Sequence, residues 1–300
     1  MLNVVFIGKN QMFSTAVLES ILAHCHVTQI LVSGNRRFRH FSFLRNLIPG
    51  RRRQSLARIA KHRNIPIDRI SRSRLTSVET LIRTHSPDII LITSLDFLLP
   101  PSTIEIPRIG CFNFHPSILP DYRGPFPWFW QYHDLRLTMG MTLHGLTDKE
   151  DEGPVVDQRA FNIPVGQDIG RTMLQATNIA EDMAIRFVSK IGIGDAAQIG
   201  YQKQPEGSGT RRARRVSASE TFIDWNTWGL ERVWHYLAGT YPWVSEIHYP
   251  LSQFNWLRAS GISTEKSRPP WGKVLWDNHG IYVSHPKGRI RMRLARPHFR

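Results

Sequence analysis

The chain has little cysteine and no long apolar segment. Its 300 residues include only two cysteines, Cys25 and Cys111, which lie far apart in the sequence. This usage favours free thiols in a reducing compartment over a disulfide framework. No apolar run approaches the roughly 18 residues that a membrane-spanning helix needs. Residues 1–8 also lack the basic start of a signal peptide. We therefore expect a cytoplasmic protein without a membrane partner.

Common nucleotide-binding motifs and metal-ligand spacings are missing as well. No Gly-x-Gly-x-x-Gly follows the first apolar run, and no Gly-x-x-x-x-Gly-Lys-Ser/Thr occurs anywhere. Use of a dinucleotide or a nucleoside triphosphate is therefore disfavoured. His24 and His26 form an isolated His-x-His pair without the additional spaced ligands of a zinc site. We expect no metal.

Acidic residues are scarce compared with basic ones. Lys and Arg number 39 against 24 Asp and Glu, a formal net charge of +15, and no acidic residue lies between Glu19 and Asp68. Arginines alternate with phenylalanines in this interval, beginning with Arg36, Arg37 and Arg39. Such a stretch suits phosphate contacts with aromatic stacking alongside, and a solvated basic loop is the alternative. The charge predicts an anionic partner.

Strand and helix patterns alternate along the first two thirds of the chain. Apolar runs at residues 4–7, 27–32 and 89–92 predict strands, and the last of them is typical of a parallel strand buried on both faces. Helical periodicity appears at residues 14–22, 54–62, 77–84 and 168–191, with Asp168 as the expected N-cap of the last helix. The pattern predicts an α/β fold with a mostly parallel sheet.

Two separated segments carry polar groups suited to chemistry. Asn113 is the only polar side chain in the apolar run 109–114, and His115 follows where Pro116 ends the strand. Because Asn113 and His115 are two residues apart, their side chains share one face of an extended segment. The second segment is a strand at 139–143 that runs through His144 into an acidic loop containing Asp151.

An amide, an imidazole and a carboxylate together would suit attack on a carbonyl carbon. The amide and a protonated His115 would stabilise the oxyanion, while Asp151 would favour the charged ring and accept a proton. Spacing alone leaves another interpretation open. In it, Asn113 caps a turn, His115 is a solvated strand end, and Asp151 is one acid of an acidic loop.

The order and spacing of these motifs resemble the 10-formyltetrahydrofolate-dependent formyltransferases. That family includes the methionyl-tRNA, glycinamide ribonucleotide and nucleotide-amino-sugar formyltransferases. The likeness spans about residues 1–165 and rests on Asn-x-His-Pro-Ser-x-Leu-Pro-x-x-Arg-Gly, then a strand, a His and Asp-x-Gly-Pro. It implies a Rossmann-like formyltransferase domain, 10-formyltetrahydrofolate as co-substrate, and Asn113, His115 and Asp151 as the catalytic trio.

The same resemblance implies a set of binding residues. Those on the cofactor side are Ile92, Thr93, Leu146, Thr147, Asp148 and Gly153. Those on the acceptor side are His144, Arg123, Arg36, Arg37 and Arg39. Arg123 is either a cation of the pocket wall or an anchor of its loop. Two departures bear on the acceptor. The basic stretch lacks the Pro-Asp-x-Pro-x-Gly-Arg-Gly of tRNA-binding relatives, and Thr93-Ser94 replaces the Tyr-Gly or Phe-Gly that often follows the strand at 89–92.

The composition changes after residue 199. We expect a catalytic domain at 1–199, a polar linker at 200–219 and a C-terminal domain at 220–300. Short strands at 273–276, 280–284 and 289–294 separated by Gly and Pro turns suggest a small barrel. Residues 222–225 and 241–243 resemble the entry to the OB-like β-barrel of some formyltransferases. Alternating basic residues on the last strand suggest a surface that contacts a nucleic-acid backbone, or a solvated face.

Several functions are consistent with these features. The net charge, the arginine stretch and the C-terminal barrel favour formylation of an aminoacyl-tRNA. The two departures favour a smaller amine, such as a nucleotide-linked amino sugar or a carrier-bound amine. A non-catalytic nucleic-acid-binding protein is disfavoured by the intact trio, and a formyltetrahydrofolate hydrolase, which shares the trio, is a further alternative. We expect an anionic acceptor, either tRNA or a nucleotide-linked amine.

Overall fold

A seven-stranded sheet organises the first part of the chain. The computed structural model describes residues 1–34, 55–193, 199–206, 210–240 and 257–294. The strands are β1 (Asn3–Gly8), β2 (His26–Ser33), β3 (Ile67–Ile70), β4 (Ile89–Ile92), β5 (Gly110–His115), β6 (Thr138–Gly145) and β7 (Val155–Asn162). Their order is β3-β2-β1-β4-β5-β6-β7. Neighbours run parallel from β3 to β5, and β6 is antiparallel to β5. The predicted Rossmann-like, mostly parallel sheet is confirmed.

Helices connect the strands in the predicted alternation. They are α1 (Met12–Ile21), α2 (Leu56–Arg63), α3 (Leu75–Thr84), α4 (Pro101–Ile104), α5 (Pro127–His133), α6 (Ile169–Ile193) and α7 (Leu230–Thr240). Two 3₁₀ turns lie at Arg72–Arg74 and Ala218–Thr221. Among the described residues, no helix is long and apolar enough to cross a membrane.

The central strands share a buried apolar face, and the polar residue Asn113 of β5 lies at the end of that face. An apolar cluster contains Val5, Ile7, Leu31, Ile70, Val78, Ile82, Ile90, Ile92, Leu99 and Cys111. Cys111 and Asn113 are two apart on β5, so both side chains leave the same face of the sheet. The row of apolar side chains along this face therefore ends at an amide.

The predicted cap of the long helix is confirmed. α6 begins at Ile169, and the Asp168 carboxylate accepts a hydrogen bond from the Arg171 backbone N–H at 3.2 Å. Five of the apolar positions predicted after the first turn are buried: Ala176, Ala180, Met183, Phe187 and Ile191. Local capping chemistry and the 3.6-residue period thus both act at this helix.

We expect Asp168→Ala to lower the free energy of unfolding by about 1 kcal/mol, because the first turn of α6 loses its side-chain acceptor. Denaturant titration measures this loss. Asp182→Ala is the matched control, since Asp182 lies within α6 and forms only an exposed ion pair with Arg186. That pair should contribute at most about 0.5 kcal/mol. Equal losses in the two variants would contradict the capping role.

The chain divides into two compact units. The first comprises Met1–Arg123, Gly140–Arg159 and Leu174–Gly209, and the second comprises Gly124–Met139, Ala160–Met173 and Thr210–Arg300. The second unit contains a four-stranded antiparallel sheet of order β8-β11-β10-β9. Its strands are β8 (Leu257–Ser263), β9 (Val274–Asp277), β10 (Gly280–His285) and β11 (Gly288–Leu294).

Three strands of the second sheet were predicted and one was missed. β9, β10 and β11 are joined by two-residue turns at the positions where Asn-His and Pro-Lys were expected to separate strands. β8 was not predicted, because Leu-Arg-Ala-Ser-Gly-Ile-Ser has an interior glycine and almost no β-branched residues. Residues 241–243, which contribute to the expected barrel entry, lie outside the described residues.

Candidate active site

Three residues of the candidate site lie side by side on the neighbouring strands β4, β5 and β6. Strand register places Ile92 of β4 beside Asn113 of β5, and Asn113 beside His144 of β6. The Asn113 Nδ2 atom lies 3.3 Å from His144 Nε2. His144 Nδ1 lies 2.8 Å from the Gly145 carbonyl oxygen, which can only accept, so Nδ1 carries the proton there and Nε2 accepts from the amide. An amide has two N–H bonds, so Asn113 retains a second donor.

His115 is the last residue of β5, and both nitrogens of its ring face protein groups. Its side chain is almost fully buried. Nε2 donates to the Tyr122 carbonyl oxygen at 2.9 Å. Nδ1 lies 3.4 Å from Asp151 Oδ2. The loop after β5 thus orients the ring through Nε2, and the Asp151 carboxylate lies next to Nδ1.

The Asp151 carboxylate lies between two imidazole rings. One oxygen faces His115, and Oδ1 lies 3.5 Å from His144 Nε2. The ring centroids of the two histidines are 6.4 Å apart. The side chain of Asp151 is 12% exposed, so its charge acts in a partly dehydrated environment where electrostatic interactions are stronger than in water.

The loop that carries Asp151 returns tightly against β6. Asp151 itself has φ +56°, in the left-handed region that Asp and Asn tolerate better than most residues. Gly153 packs against the strand so closely that a Cβ would overlap the Gly145 carbonyl oxygen. Only glycine allows this approach, which turns the loop back towards β5.

Burial controls the charge of His115. Removal from water lowers the pKa of the His115 imidazole, the nearby Asp151 carboxylate opposes that effect, and His144 adds to it. The net direction is down, so we assign the neutral ring to the resting site at pH 7. Because Nε2–H donates a hydrogen bond to the Tyr122 carbonyl oxygen, Nδ1 is the basic atom of the neutral ring, and it faces the Asp151 carboxylate.

The residues predicted on the cofactor side have different environments. Ile92 belongs to the apolar cluster, and Leu146 packs against it. The Thr93 hydroxyl lies 3.2 Å from the Ile7 carbonyl oxygen and 2.9 Å from Ser14 Oγ, so it ties β1 to α1. Thr147 and Asp148 are exposed in the loop after β6. Only part of this set is thus open to a ligand in the structure.

The Arg123 guanidinium is engaged by a neighbouring carboxamide. Its side chain is 12% exposed and donates to Gln204 Oε1 from Nε at 3.1 Å and from Nη2 at 2.7 Å. Of the two alternatives left open by the sequence, these contacts favour the anchor. The other predicted acceptor cations, Arg36, Arg37 and Arg39, lie outside the described residues.

The sequence did not identify the residues that hydrogen-bond to the backbone of the loop after β5 and of the loop after β6. Thr142 donates to the Ser117 carbonyl oxygen at 2.7 Å, and Gln158 donates to the Leu119 carbonyl oxygen at 3.0 Å. Gln204 donates to two carbonyl oxygens of the Asp151 loop. No periodicity or motif marks these residues, because each is an ordinary polar residue whose partner is 25 or more positions away.

Metal chemistry has no candidate centre in the part of the chain that the structure describes. No group of three His, Cys, Asp or Glu side chains there could hold an ion.

Comparisons with known proteins agree with one another. A family model described as formyl transferase matches residues 2–187. The methionyl-tRNA formyltransferase of Wigglesworthia glossinidia brevipalpis is 27% identical over 291 residues, covering 96% of this chain and 82% of that protein. The N-formyltransferase from Helicobacter canadensis, in complex with folinic acid and dTDP-3-aminofucose, has a TM-score of 0.64 at 15% identity. That alignment covers 98% of this chain and 99% of the other.

A second solved structure shares the fold over nearly the whole chain. WlaRD, a sugar 3N-formyl transferase determined in the presence of dTDP and 5-N-formyl-THF, has a TM-score of 0.65 at 16% identity. The alignment covers 99% of this chain and 98% of that one. At such low identity these structural neighbours establish the fold alone.

Proposed function

Because the chain belongs to the formyl transferase family, we propose that it transfers a formyl group from 10-formyltetrahydrofolate to the amino group of an aminoacyl-tRNA in the cytoplasm. The observation that supports this most directly is the convergence of Asn113 and His115 of β5 with Asp151 of the loop after β6. An amide donor, a basic ring nitrogen and a carboxylate are the groups that acyl transfer to an amine needs.

The first step is attack of the neutral amine on the formyl carbon. Negative charge develops on the formyl oxygen, and the second N–H of the Asn113 amide donates to it. His144 supports this role, because its Nε2 accepts the other amide N–H and so orients the amide. Such a donor, already in place before the reaction, is worth roughly 3–4 kcal/mol of transition-state stabilisation.

The second step moves one proton from the acceptor nitrogen to the folate nitrogen. His115 Nδ1 takes the proton that the attacking amine loses, and Asp151 stabilises the imidazolium that forms. The ring then returns the proton to N10 of the folate as the C–N10 bond breaks. The products are the formamide and tetrahydrofolate, and the enzyme regains its starting charge.

This assignment differs from the one that the sequence suggested. There, a protonated His115 was expected to donate to the oxyanion. Burial lowers the pKa of His115, and Nε2 is engaged by Tyr122, so a role as proton carrier fits the structure better. The proposed trio is still Asn113, His115 and Asp151, but His115 now carries a proton instead of donating to the oxyanion.

Basic residues of the second unit support a polyanionic acceptor. On β11, Ile290 and Met292 are buried, while Arg291 and Arg293 are exposed on the opposite face. Arg258 of β8 is paired with Arg293 in the sheet register and adds charge to that face. We propose that this sheet belongs to an OB-like barrel in a C-terminal domain at 220–300, after a linker at 200–219 that follows a catalytic domain at 1–199. Its basic face would contact the tRNA backbone.

A nucleotide-linked amino sugar is the second candidate acceptor. It is favoured by the missing tRNA-loop motif in the basic stretch at residues 36–53 and by solved sugar N-formyltransferases that share the fold over 98–99% of the chain. An end-point assay with 10-formyltetrahydrofolate against methionyl-tRNA and a panel of nucleotide-linked amino sugars separates the two. Formylation of methionyl-tRNA alone supports the main proposal, and absence of any formylated amine contradicts both.

Salt dependence gives an independent prediction. If the acceptor is tRNA bound through about six to ten phosphates, its affinity should fall by roughly three to five decades between about 50 and 200 mM salt. A nucleotide-linked sugar, with its few charges, should show a much shallower slope. Filter binding or fluorescence anisotropy with labelled methionyl-tRNA measures the slope. A flat response would contradict recognition through the phosphate backbone.

A further inference from the structure

Gln204 connects the loop after β5 with the loop that carries Asp151. Its side chain is buried, with a residue exposure of 6%. Nε2 donates to the Asp151 carbonyl oxygen at 2.9 Å and to the Gly153 carbonyl oxygen at 2.6 Å. Oε1 accepts from two nitrogens of Arg123, at 3.1 and 2.7 Å. The Gln204 carboxamide thus donates to the loop that carries Asp151 and accepts from Arg123 of the loop after β5.

These contacts complete a closed circuit around His115. The ring donates from Nε2 to Tyr122, and the next residue, Arg123, donates to Gln204. Gln204 holds the backbone of Asp151, and the Asp151 carboxylate returns to Nδ1 of the same ring. Displacement of any one member therefore changes the distance between the imidazole and the carboxylate.

The chemistry of the circuit requires a carboxamide at this position. Two carbonyl oxygens need N–H donors, and the guanidinium needs an acceptor. Glutamate keeps the acceptor but removes both donors, and it places a negative charge beside two carbonyl oxygens. Alanine removes the contacts with all three residues and leaves the buried Gly153 carbonyl oxygen without this donor, which is unfavourable.

We propose that Gln204 is a positioning residue for formyl transfer, which holds Asp151 against His115 by fixing the backbone of the catalytic loop. This inference rests on the proposed function for its kinetic consequence, but its structural consequence is independent of the reaction. Gln204 touches neither reacting atom in this assignment. It acts through Asp151.

The kinetic test compares Gln204→Ala and Gln204→Glu with a matched control. A displacement of about 1 Å at a catalytic group can lower the rate by about 100-fold, so we expect both variants to lose about that much in kcat. Affinity for 5-formyltetrahydrofolate, measured by calorimetry, should fall much less than kcat in the same variants, because the contact of Gln204 with the predicted folate side is made to the backbone of Gly153. Gln202→Ala is the control: Gln202 is exposed, and its contacts with Val155 are made by the backbone.

A second readout does not depend on the reaction. Asp151 and Glu150 raise the pKa of His115, and His144 lowers it. Arg123 pairs with the carboxylate that Gln204→Glu introduces and offsets its charge, so displacement of Asp151 in this variant should lower the titration midpoint of the His115 ring, followed by ¹H–¹⁵N NMR, towards that of Asp151→Asn. Gln202→Ala should leave it unchanged. Because glutamate keeps the contact with Arg123, this variant tests the idea even if Gln204→Ala does not fold.

Two results would overturn the inference. One is an unchanged His115 midpoint in Gln204→Glu together with kcat within about twofold of the wild type. The other is a loss of folate affinity equal to the loss of kcat, which would indicate general damage to the pocket. Failure of the wild-type protein to formylate any amine would contradict the proposed function, and the NMR midpoint would still decide the role of Gln204.

Discussion

Asn113→Ala is expected to lower kcat by about two to three orders of magnitude while folate affinity stays nearly unchanged. The amide is positioned by His144 before the substrate arrives, so its N–H contributes to the transition state more than to the bound ground state. Single-turnover kinetics with 10-formyltetrahydrofolate measures the chemical step, and calorimetry with 5-formyltetrahydrofolate measures binding.

Asn162→Ala provides the control for that experiment. Asn162 is an exposed amide at the end of β7, and its Oδ1 atom accepts a hydrogen bond from the Thr138 hydroxyl. Its removal should leave kcat unchanged. If Asn113→Ala turned over within a few fold of the wild type, the oxyanion would have to be stabilised by another group, and the assignment of Asn113 would be wrong.

Asp151→Asn should cause the largest loss, about three orders of magnitude in kcat. Asparagine tolerates the left-handed backbone at this position, so the loop can keep its path while the charge is removed. Without the carboxylate, nothing at Nδ1 stabilises the imidazolium that forms when His115 takes the proton. Asp157→Asn, which removes a charge that pairs with Arg159 on β7, should have little effect.

The pH profile gives the sign of the His115 effect. If the neutral ring is the active form, kcat in the wild type should persist below the usual histidine pKa of about 6.5 and fall only at lower pH, because burial depresses the pKa of His115. Asp151 raises that pKa, so Asp151→Asn should move the acidic limb to still lower pH while reducing the plateau. A wild-type profile that rises as His115 becomes protonated would contradict its role as proton carrier.

Much of the fold could be predicted because its signals are local. The continuous apolar run of β4, the cap of α6 and the turns before β10 and β11 depend on neighbouring residues, and all appear in the structure. β8 was missed because its stability comes from pairing with β11 and not from its own composition.

The sequence named candidate site residues but not the contacts between them. Asn113, His115 and Asp151 could be named because two motifs carry them in a recognisable order. The hydrogen bond from His115 Nε2 to the Tyr122 carbonyl oxygen could not be predicted, since it depends on how the proline-rich loop after β5 folds back onto the ring. The role of Arg123 was left open for the same reason, and Gln204 lay in a stretch whose composition suggested only a linker.

The sequence by itself determined the chemical groups and the alternation of strands and helices, because motifs and periodicity are properties of neighbouring residues. Tertiary structure alone decided which of those groups meet: Asn113 with His144 across two antiparallel strands, Asp151 between two rings, and Gln204 beneath the loop. Three of these pairs are about 30 to 50 positions apart in the chain: Asn113 with His144, His115 with Asp151, and Asp151 with Gln204. A contact over such a separation leaves no trace in either segment until folding brings the atoms within about 3 Å.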